Sequence, residues 1–133
     1  MNAAFADTSV LVAFLSVYDE HHALALNYME SFTGQIITTS LVLVELGNFL
    51  SKHPDRQAVS PFVHDLRTDP RVQIIPATDD LLDAGLALYA DRPDKDWSLT
   101  DCISFVVMQR QNLTDAFTAD HHFEQAGFRI LLK

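Results

Sequence analysis

Short apolar runs alternate with longer segments of helical periodicity along this chain. The first run, AAFAD at 3–7, is typical of a buried strand, and similar runs recur between turn and capping residues. The pattern predicts five strands, at 3–7, 35–39, 72–76, 116–119 and 128–132.

Between these strands, apolar positions recur every three or four residues, as in helices with one buried face. Leu24, Tyr28 and Phe32 fall on one face of such a segment. We predict helices at 9–18, 21–32, 40–53, 57–68, 79–90, 99–112 and 121–126.

Three residues near predicted helix starts carry local expectations. Ser40 and Thr78 are expected N-caps, because a hydroxyl oxygen can accept from the free N–H groups of a first helical turn. Pro61 is expected within the first turn of its helix, where its missing N–H is tolerated.

Strands built from continuous apolar runs indicate a sheet that is covered on both faces, and helices between the strands are typical of parallel pairing. We therefore predict an α/β fold: a three-layer α/β/α sandwich with a mostly parallel sheet of about five strands. The length of 133 residues suits one domain, 1–133, and no linker, repeat or low-complexity tract interrupts it.

The chain is strongly acidic, with a formal net charge of −9. This charge argues against a protein that holds nucleic acid by a general basic surface. A nucleic-acid function would need a local device, either cations bound by the acids or a basic patch. Such a patch would draw on Lys52, Arg56, Arg67, Arg71, Arg92, Lys95 and Arg110.

No apolar run approaches the roughly eighteen residues that span a bilayer, and the first residues lack the basic start of a signal peptide. We therefore expect a cytoplasmic protein without membrane association. The single cysteine, Cys102, cannot form an internal disulfide and is expected to be a small buried apolar side chain.

Two acids directly follow predicted strands, and ligand sites of parallel sheets gather at the carboxyl ends of the strands. Asp7 ends the first strand and Asp120 follows the strand at 116–119, each just before a helix. Taken alone, either residue could simply be an N-cap.

Two further acids lie on predicted helices. Ser98 followed three residues later by Asp101 has the spacing of a capping box. Glu45 lies among apolar neighbours about one turn into its helix, where an unpaired carboxylate facing the core would be costly. Its helix is apolar nearly all round, so the pattern leaves open whether Glu45 occupies a solvated stripe or a functional position.

Jointly, four acids fall at or just beyond the predicted carboxyl edge of the sheet: Asp7, Glu45, Asp101 and Asp120. A cluster of carboxylates needs cations, and hard oxygen ligands without cysteine or histidine suit Mg²⁺ or Mn²⁺. Such ions polarise phosphoryl oxygens and activate water, which is the chemistry of phosphodiester cleavage.

Four segments together resemble one family over nearly the whole chain. FADTSVLVAFL, TTSLVLVELGNFL, WSLTDCISF and AFTADHHFEQAGF are similar to the four motifs of PIN-domain ribonucleases of the VapC toxin type. The resemblance implies a metal-dependent endoribonuclease that leaves 5′-phosphate and 3′-hydroxyl ends. Asp7, Glu45 and Asp101 would then be the main ligands of Mg²⁺ or Mn²⁺, and Asp120 would support a second ion or an outer water.

The resemblance also implies roles for hydroxyl side chains. Thr118, and Thr8 or Ser9, would orient a metal ligand or the nucleophilic water, although such residues also serve ordinary turns and caps. Asp96, a fifth acid near the third motif, is interpreted as a loop or cap residue, with contact to a metal-bound water as the alternative.

Toxins of this type are usually held by a small antitoxin and often form homodimers. The resemblance therefore implies an RNA substrate and a homodimer. An antitoxin, where one exists, would be a separate protein, because the chain contains no antitoxin-like segment.

Three alternatives belong to other functional classes. A housekeeping PIN nuclease, or a PIN-like module that binds RNA or a partner without cutting, would share the fold, but a binding module would gain affinity by losing acids near phosphates. A phosphoacceptor receiver domain needs an acceptor Asp after the third strand and a Lys near the end of the fifth, which VQIIPAT and FRILL lack.

Histidines at 21, 22, 121 and 122 raise the alternative of a zinc site. Neighbouring histidines on a helix point about a hundred degrees apart, and the chain has no HExxH motif or cysteine pair. His121 and His122 are instead expected to begin the last short helix.

Overall fold

The computed structural model describes residues 2–132. The strands are β1 (Ala3–Ala6), β2 (Gln35–Thr39), β3 (Val72–Ile75), β4 (Asp115–Phe117) and β5 (Arg129–Ile130). The helices are α1 (Thr8–Leu15), α2 (His22–Ser31), α3 (Ser40–Phe49), α4 (Arg56–Thr68), α5 (Asp79–Asp91), α6 (Leu99–Arg110) and α7 (His121–Gln125).

All five strands pair in parallel, in the order β3-β2-β1-β4-β5. Right-handed crossovers place α1 to α4 on one face of the sheet and α5 to α7 on the other. The helix contacts agree, since α1 packs on α2 and α3, and α6 packs on α5 and α7. The predicted α/β fold with a parallel five-stranded sheet is confirmed.

The strand order reverses direction beside β1. From β1 the chain proceeds through β2 to β3, and it then returns to β4 on the opposite side of β1. The carboxyl ends of β1 and β4 thus form a switch point, where open parallel sheets bind ligands. Asp7 follows β1 here, and its backbone N–H donates to the Phe117 carbonyl at 3.3 Å.

Aromatic rings join the sheet to both helical layers. As predicted, one face of α2 packs on the core, and the Phe32 ring lies 4.9 Å from that of Phe117 on β4. In the opposite layer, Phe105 of α6 packs edge-on against Phe123 of α7, with ring centroids 4.9 Å apart. Cys102 is fully buried, as expected.

The prediction that Ser40 caps α3 is wrong. Thr39 is the N-cap, because its backbone is still extended and its hydroxyl accepts from the Val42 N–H at 3.1 Å. Ser40 Oγ instead accepts from the Ala77 N–H at 2.8 Å. The prediction for Thr78 is confirmed, since its hydroxyl accepts from the Leu81 N–H at 3.2 Å.

The prediction for Pro61 is also wrong, because α4 begins at Arg56 and Pro61 therefore lies in its second turn. There the proline ring removes one backbone hydrogen bond of the helix. Phe62 and Leu66 are buried on the same helix, and this tertiary packing compensates for the lost bond.

Several elements are shorter than predicted. The last helical turn of α6 is closed by Asn112, whose φ is 55°, and by a bond from the Leu113 N–H to the Met108 carbonyl at 2.8 Å. β5 is brief, but the Leu132 N–H still donates to the Thr118 carbonyl at 3.1 Å.

Among the described helices, none combines the length and apolarity needed to cross a membrane.

Candidate active site

A cavity of about 290 Å³ lies at the carboxyl ends of β1 and β4. All four acids predicted from the sequence line it, together with Thr8 and Ser9 at the start of α1. Within residues 2–132, no Lys or Arg belongs to the lining. The structure therefore brings the four carboxyl groups to one cavity whose described lining holds no lysine or arginine.

Asp7 is held by hydroxyl groups from two elements. Its Oδ2 accepts from Thr118 Oγ1 at 3.0 Å and is 3.4 Å from Ser9 Oγ. Asp7 occupies the N-cap position of α1 but makes no capping hydrogen bond with its side chain. The simple N-cap interpretation therefore does not account for this carboxylate.

Burial dominates the ionisation of Asp7, of which only 5% is exposed. Loss of hydration raises the pKa of Asp7 to about 7, and the charges of Asp101 and Asp120 also raise it. Hydrogen bonds from the Thr8 backbone and the Thr118 side chain act in the opposite direction. The metal-free site thus holds Asp7 near its protonation midpoint at neutral pH.

Glu45 lies on the cavity side of α3 and is partly buried. Its Oε1 accepts from Thr8 Oγ1 at 2.5 Å. Val44, the preceding residue, faces outward and is 57% exposed, whereas Phe49, one turn later, lines the cavity beside Glu45. The side chain of Glu45 therefore faces the cavity and not the core.

Asp101 forms the predicted capping box and also lines the cavity. Ser98 Oγ accepts from the Asp101 N–H at 3.0 Å, and Asp101 Oδ2 accepts from the Ser98 N–H at 3.2 Å. The same Oδ2 lies 3.1 Å from His122 Nδ1. Burial, followed by the charge of Asp120, raises the pKa of Asp101, against the hydrogen bonds from Ser98 and His122.

Asp120, like Asp101, both caps a helix and lines the cavity. It is the N-cap of α7, and its Oδ1 accepts from the His122 N–H at 2.9 Å. Its own N–H donates to Thr118 Oγ1 at 3.0 Å, and that hydroxyl also lies 2.8 Å from Ser9 Oγ. Thr118 is fully buried and does not line the cavity. Its buried hydroxyl links Asp7 to Asp120 on the core side of the cavity.

The donor set fits a hard divalent cation. On Glu45, Asp101 and Asp120, the hydrogen bonds recorded within residues 2–132 all fall on one carboxylate oxygen. These bonds orient each side chain and leave its second oxygen for a ligand. Carboxylate oxygens without thiolates are the ligands preferred by Mg²⁺ and Mn²⁺.

The structure decides for three further titratable residues whether they line the acidic cavity. Asp96 is exposed and lines a separate cavity with Trp97 and Cys102, so it does not join the four acids. Asp19 and His21 line the acidic cavity and were not predicted to do so. The signal that could have indicated them is the dense run of titratable residues between α1 and α2.

The basic residues do not assemble into a patch at this cavity. Three arginines instead form ion pairs with acids elsewhere: Arg71 with Asp69, Arg92 with Asp94, and Arg110 with Asp80. Either bound cations or a basic patch could offset the repulsion between this acidic protein and nucleic acid. The geometry favours bound cations.

Comparison with known proteins agrees with this site and fold. The family model of the PIN domain matches residues 4–129 of this sequence. The chain belongs to the PIN domain family. The 23S rRNA-specific endonuclease VapC20 of Mycobacterium tuberculosis is 29% identical to this PIN domain over 125 residues, which cover 93% of this chain and 94% of that protein.

Two crystal structures share the fold of this PIN domain. That of M. tuberculosis VapC20, a Sarcin-Ricin loop cleaving toxin, matches with a TM-score of 0.89 and 24% identity, over 99% of this chain and 100% of that one. A toxin-antitoxin complex from Klebsiella pneumoniae matches with a TM-score of 0.61 and 19% identity, over 89% and 87% of the two chains.

Proposed function

We propose that this PIN domain protein is a metal-dependent endoribonuclease that hydrolyses RNA phosphodiester bonds as the toxin of a toxin-antitoxin pair. The observation that carries the proposal is the convergence of four carboxyl groups on one cavity at the β1–β4 switch point. The likeness to an rRNA endonuclease supports RNA as the substrate class. Such a substrate would be met in the cytoplasm.

Asp7, Glu45 and Asp101 would hold Mg²⁺ or Mn²⁺, and Asp120 would hold a second ion or an outer water. When bound, such an ion lowers the pKa of water and polarises a phosphoryl oxygen. Thr8 orients Glu45 through its hydroxyl, and Thr118 orients Asp7. These two hydroxyls are therefore positioning groups rather than ligands.

The raised pKa of Asp7 links cation binding to pH. Near pH 7, a large fraction of the metal-free protein carries a proton on this carboxyl group. A cation must displace that proton, so affinity for the ion should rise as the pH rises through 7.

The proposed partners are a separate antitoxin protein and a second copy of the chain. A basic antitoxin side chain inserted among the four acids would neutralise them and exclude cations. The presence of a toxin-antitoxin complex among the proteins of similar fold supports the antitoxin, although the likeness itself concerns only the fold.

Cleavage by purified protein tests the proposal. We expect RNA cleavage with Mg²⁺ or Mn²⁺, none in excess EDTA, and a loss of several orders of magnitude in Asp101→Asn. An amide oxygen at 101 can still accept from the Ser98 N–H, so the fold should survive, as a melting midpoint no lower than that of the wild type in EDTA would verify. Asp96→Asn is the matched control, because Asp96 lies outside the cavity and its variant should cut normally. Full activity in EDTA, or in Asp101→Asn, would refute the proposal.

A further inference from the structure

Three consecutive side chains between β4 and α7 converge at the edge of the acidic cavity. Asp120 Oδ1 lies 3.8 Å from His121 Nδ1 and 3.4 Å from His122 Nδ1. One ligand atom from each residue lies within 4.8 Å of the other two. The two imidazole rings have centroids 4.6 Å apart, so these neighbours do not diverge as helical spacing predicted.

These separations approach what a zinc ion requires. With metal–ligand bonds of about 2.1 Å in a tetrahedron, neighbouring ligand atoms lie about 3.4 Å apart. The His121 side chain is 71% exposed, so it can rotate to close the remaining gap without disturbing the core. A second element adds a ligand candidate, since Asp101 Oδ2 on α6 lies 3.1 Å from His122 Nδ1.

We propose that Asp120, His121 and His122, with Asp101 beside them, form a binding site for a divalent cation that prefers imidazole, in particular Zn²⁺. Imidazole nitrogen suits Zn²⁺ and not Mg²⁺, which takes oxygen ligands. The site therefore differs in ligand chemistry from the oxygen ligands proposed for the reaction, although it shares Asp120 with them.

Zinc at this position has a consequence for the reaction. A metal ion on His122 Nδ1 replaces the contact of that nitrogen with Asp101, and it takes one oxygen of Asp120. Both acids line the cavity, so Zn²⁺ should inhibit cleavage. This inhibition rests on the proposed nuclease function, whereas the binding of zinc does not.

Binding is measured with Zn²⁺ alone, by competition with a chromophoric chelator in a buffer that holds millimolar Mg²⁺ to occupy oxygen ligands. The proteins are the wild type, His121→Ala, and His64→Ala as a matched exposed histidine on α4. Loss of an outer-shell partner already weakens metal affinity by about 10–100-fold, so loss of a ligand should cost at least tenfold. We expect wild type and His64→Ala to bind one Zn²⁺ with equal affinity, and His121→Ala to bind it at least about tenfold more weakly. Equal affinity in wild type and His121→Ala would overturn the site.

Cleavage of RNA in Mg²⁺ with added Zn²⁺ tests the consequence. Zn²⁺ should inhibit wild type and His64→Ala at the same concentration, and His121→Ala only at higher concentration. Equal inhibition of all three proteins would overturn the inhibitory role, because zinc would then act elsewhere. Absence of cleavage by wild type without zinc would count against the nuclease function and leave the binding titration to decide the zinc site.

Discussion

At the scale of single residues, burial decides the behaviour of Asp7. Its pKa is about 7 in the folded metal-free protein and 3.8 in the absence of the fold. The folded protein therefore binds the extra proton between these values, and stability falls as the pH rises through this range. This loss of stability, which is the cost of ionising the buried Asp7, is absent below pH 3.8 and complete above about pH 7.

Asp7→Asn should relieve this penalty, because an amide oxygen can still accept from Thr118 without carrying a charge. We expect its melting midpoint in EDTA to exceed that of the wild type by several degrees near pH 8, a gain of about 1 kcal/mol or more, and the difference to shrink toward about pH 4.5. Asp96→Asn serves as the control and should shift little at any pH. A gain that does not grow with pH would contradict the raised pKa of Asp7.

Asp101 and Asp120 show that a capping residue can also line the candidate site. Both capping interpretations made from the sequence are confirmed by hydrogen bonds, and both carboxyl groups nevertheless line the cavity. A capping bond uses one carboxylate oxygen and fixes the direction of the other. Cap geometry therefore does not count against a role as ligand.

At the scale of elements, the approach of α5 to α6 depends on Gly85. This glycine is buried, and a Cβ placed on it would overlap Ile103 Cγ1 on α6. The same helix α6 carries Asp101, so its contact with α5 supports one wall of the cavity. Gly47 on α3 offers a contrast, because a Cβ there meets nothing within 4 Å.

Alanine at these two glycines should have opposite effects on stability. Gly85→Ala should destabilise the protein by about 1–3 kcal/mol through overpacking against Ile103. Gly47→Ala should stabilise it by about 0.5–1 kcal/mol, because alanine restricts the unfolded chain and fits a helix interior. Urea denaturation of both variants measures the difference. Wild-type stability in Gly85→Ala would show that the two helices can separate without cost.

At the scale of the whole molecule, the proposed function requires an acidic protein to act on an acidic polymer. The net charge is −9, and the cavity lining within residues 2–132 holds acids without lysine or arginine. Under the proposed function, repulsion of phosphate by these acids would make cations a requirement for binding of RNA as well as for its cleavage. Loss of one acid should therefore abolish activity in the cell without unfolding the protein.

Expression in a host cell tests the toxin function. Wild-type protein should arrest growth, and Glu45→Gln should relieve the arrest, because the amide keeps the bond from Thr8 but removes the ligand charge. Glu30→Gln is the matched control, since Glu30 is an exposed acid on α2 outside the cavity, and it should arrest growth like wild type. Mapping of RNA ends after brief induction would identify the cleaved RNA. Equal growth with wild type and Glu45→Gln, at equal soluble levels, would favour a housekeeping nuclease or a binding module.

The sequence by itself determined the alternation of strands and helices, the parallel sheet and the identity of the four acids. Apolar runs and helical periodicity depend only on residues that are neighbours in the chain, so they can be recognised without knowledge of the fold. The errors lie at element ends, such as the cap of α3, where Thr39 and Ser40 both carry a suitable hydroxyl. There the backbone conformation at the end of β2 decided which one caps.

Only the tertiary structure decided which way the side chains face. It placed Glu45 at the cavity through a bond from Thr8, 37 positions earlier, and it fixed Asp7 through Thr118, 111 positions later. It also turned two neighbouring histidines toward Asp120. These contacts join residues that are distant in the chain or depend on rotamers, and local periodicity contains no information about either.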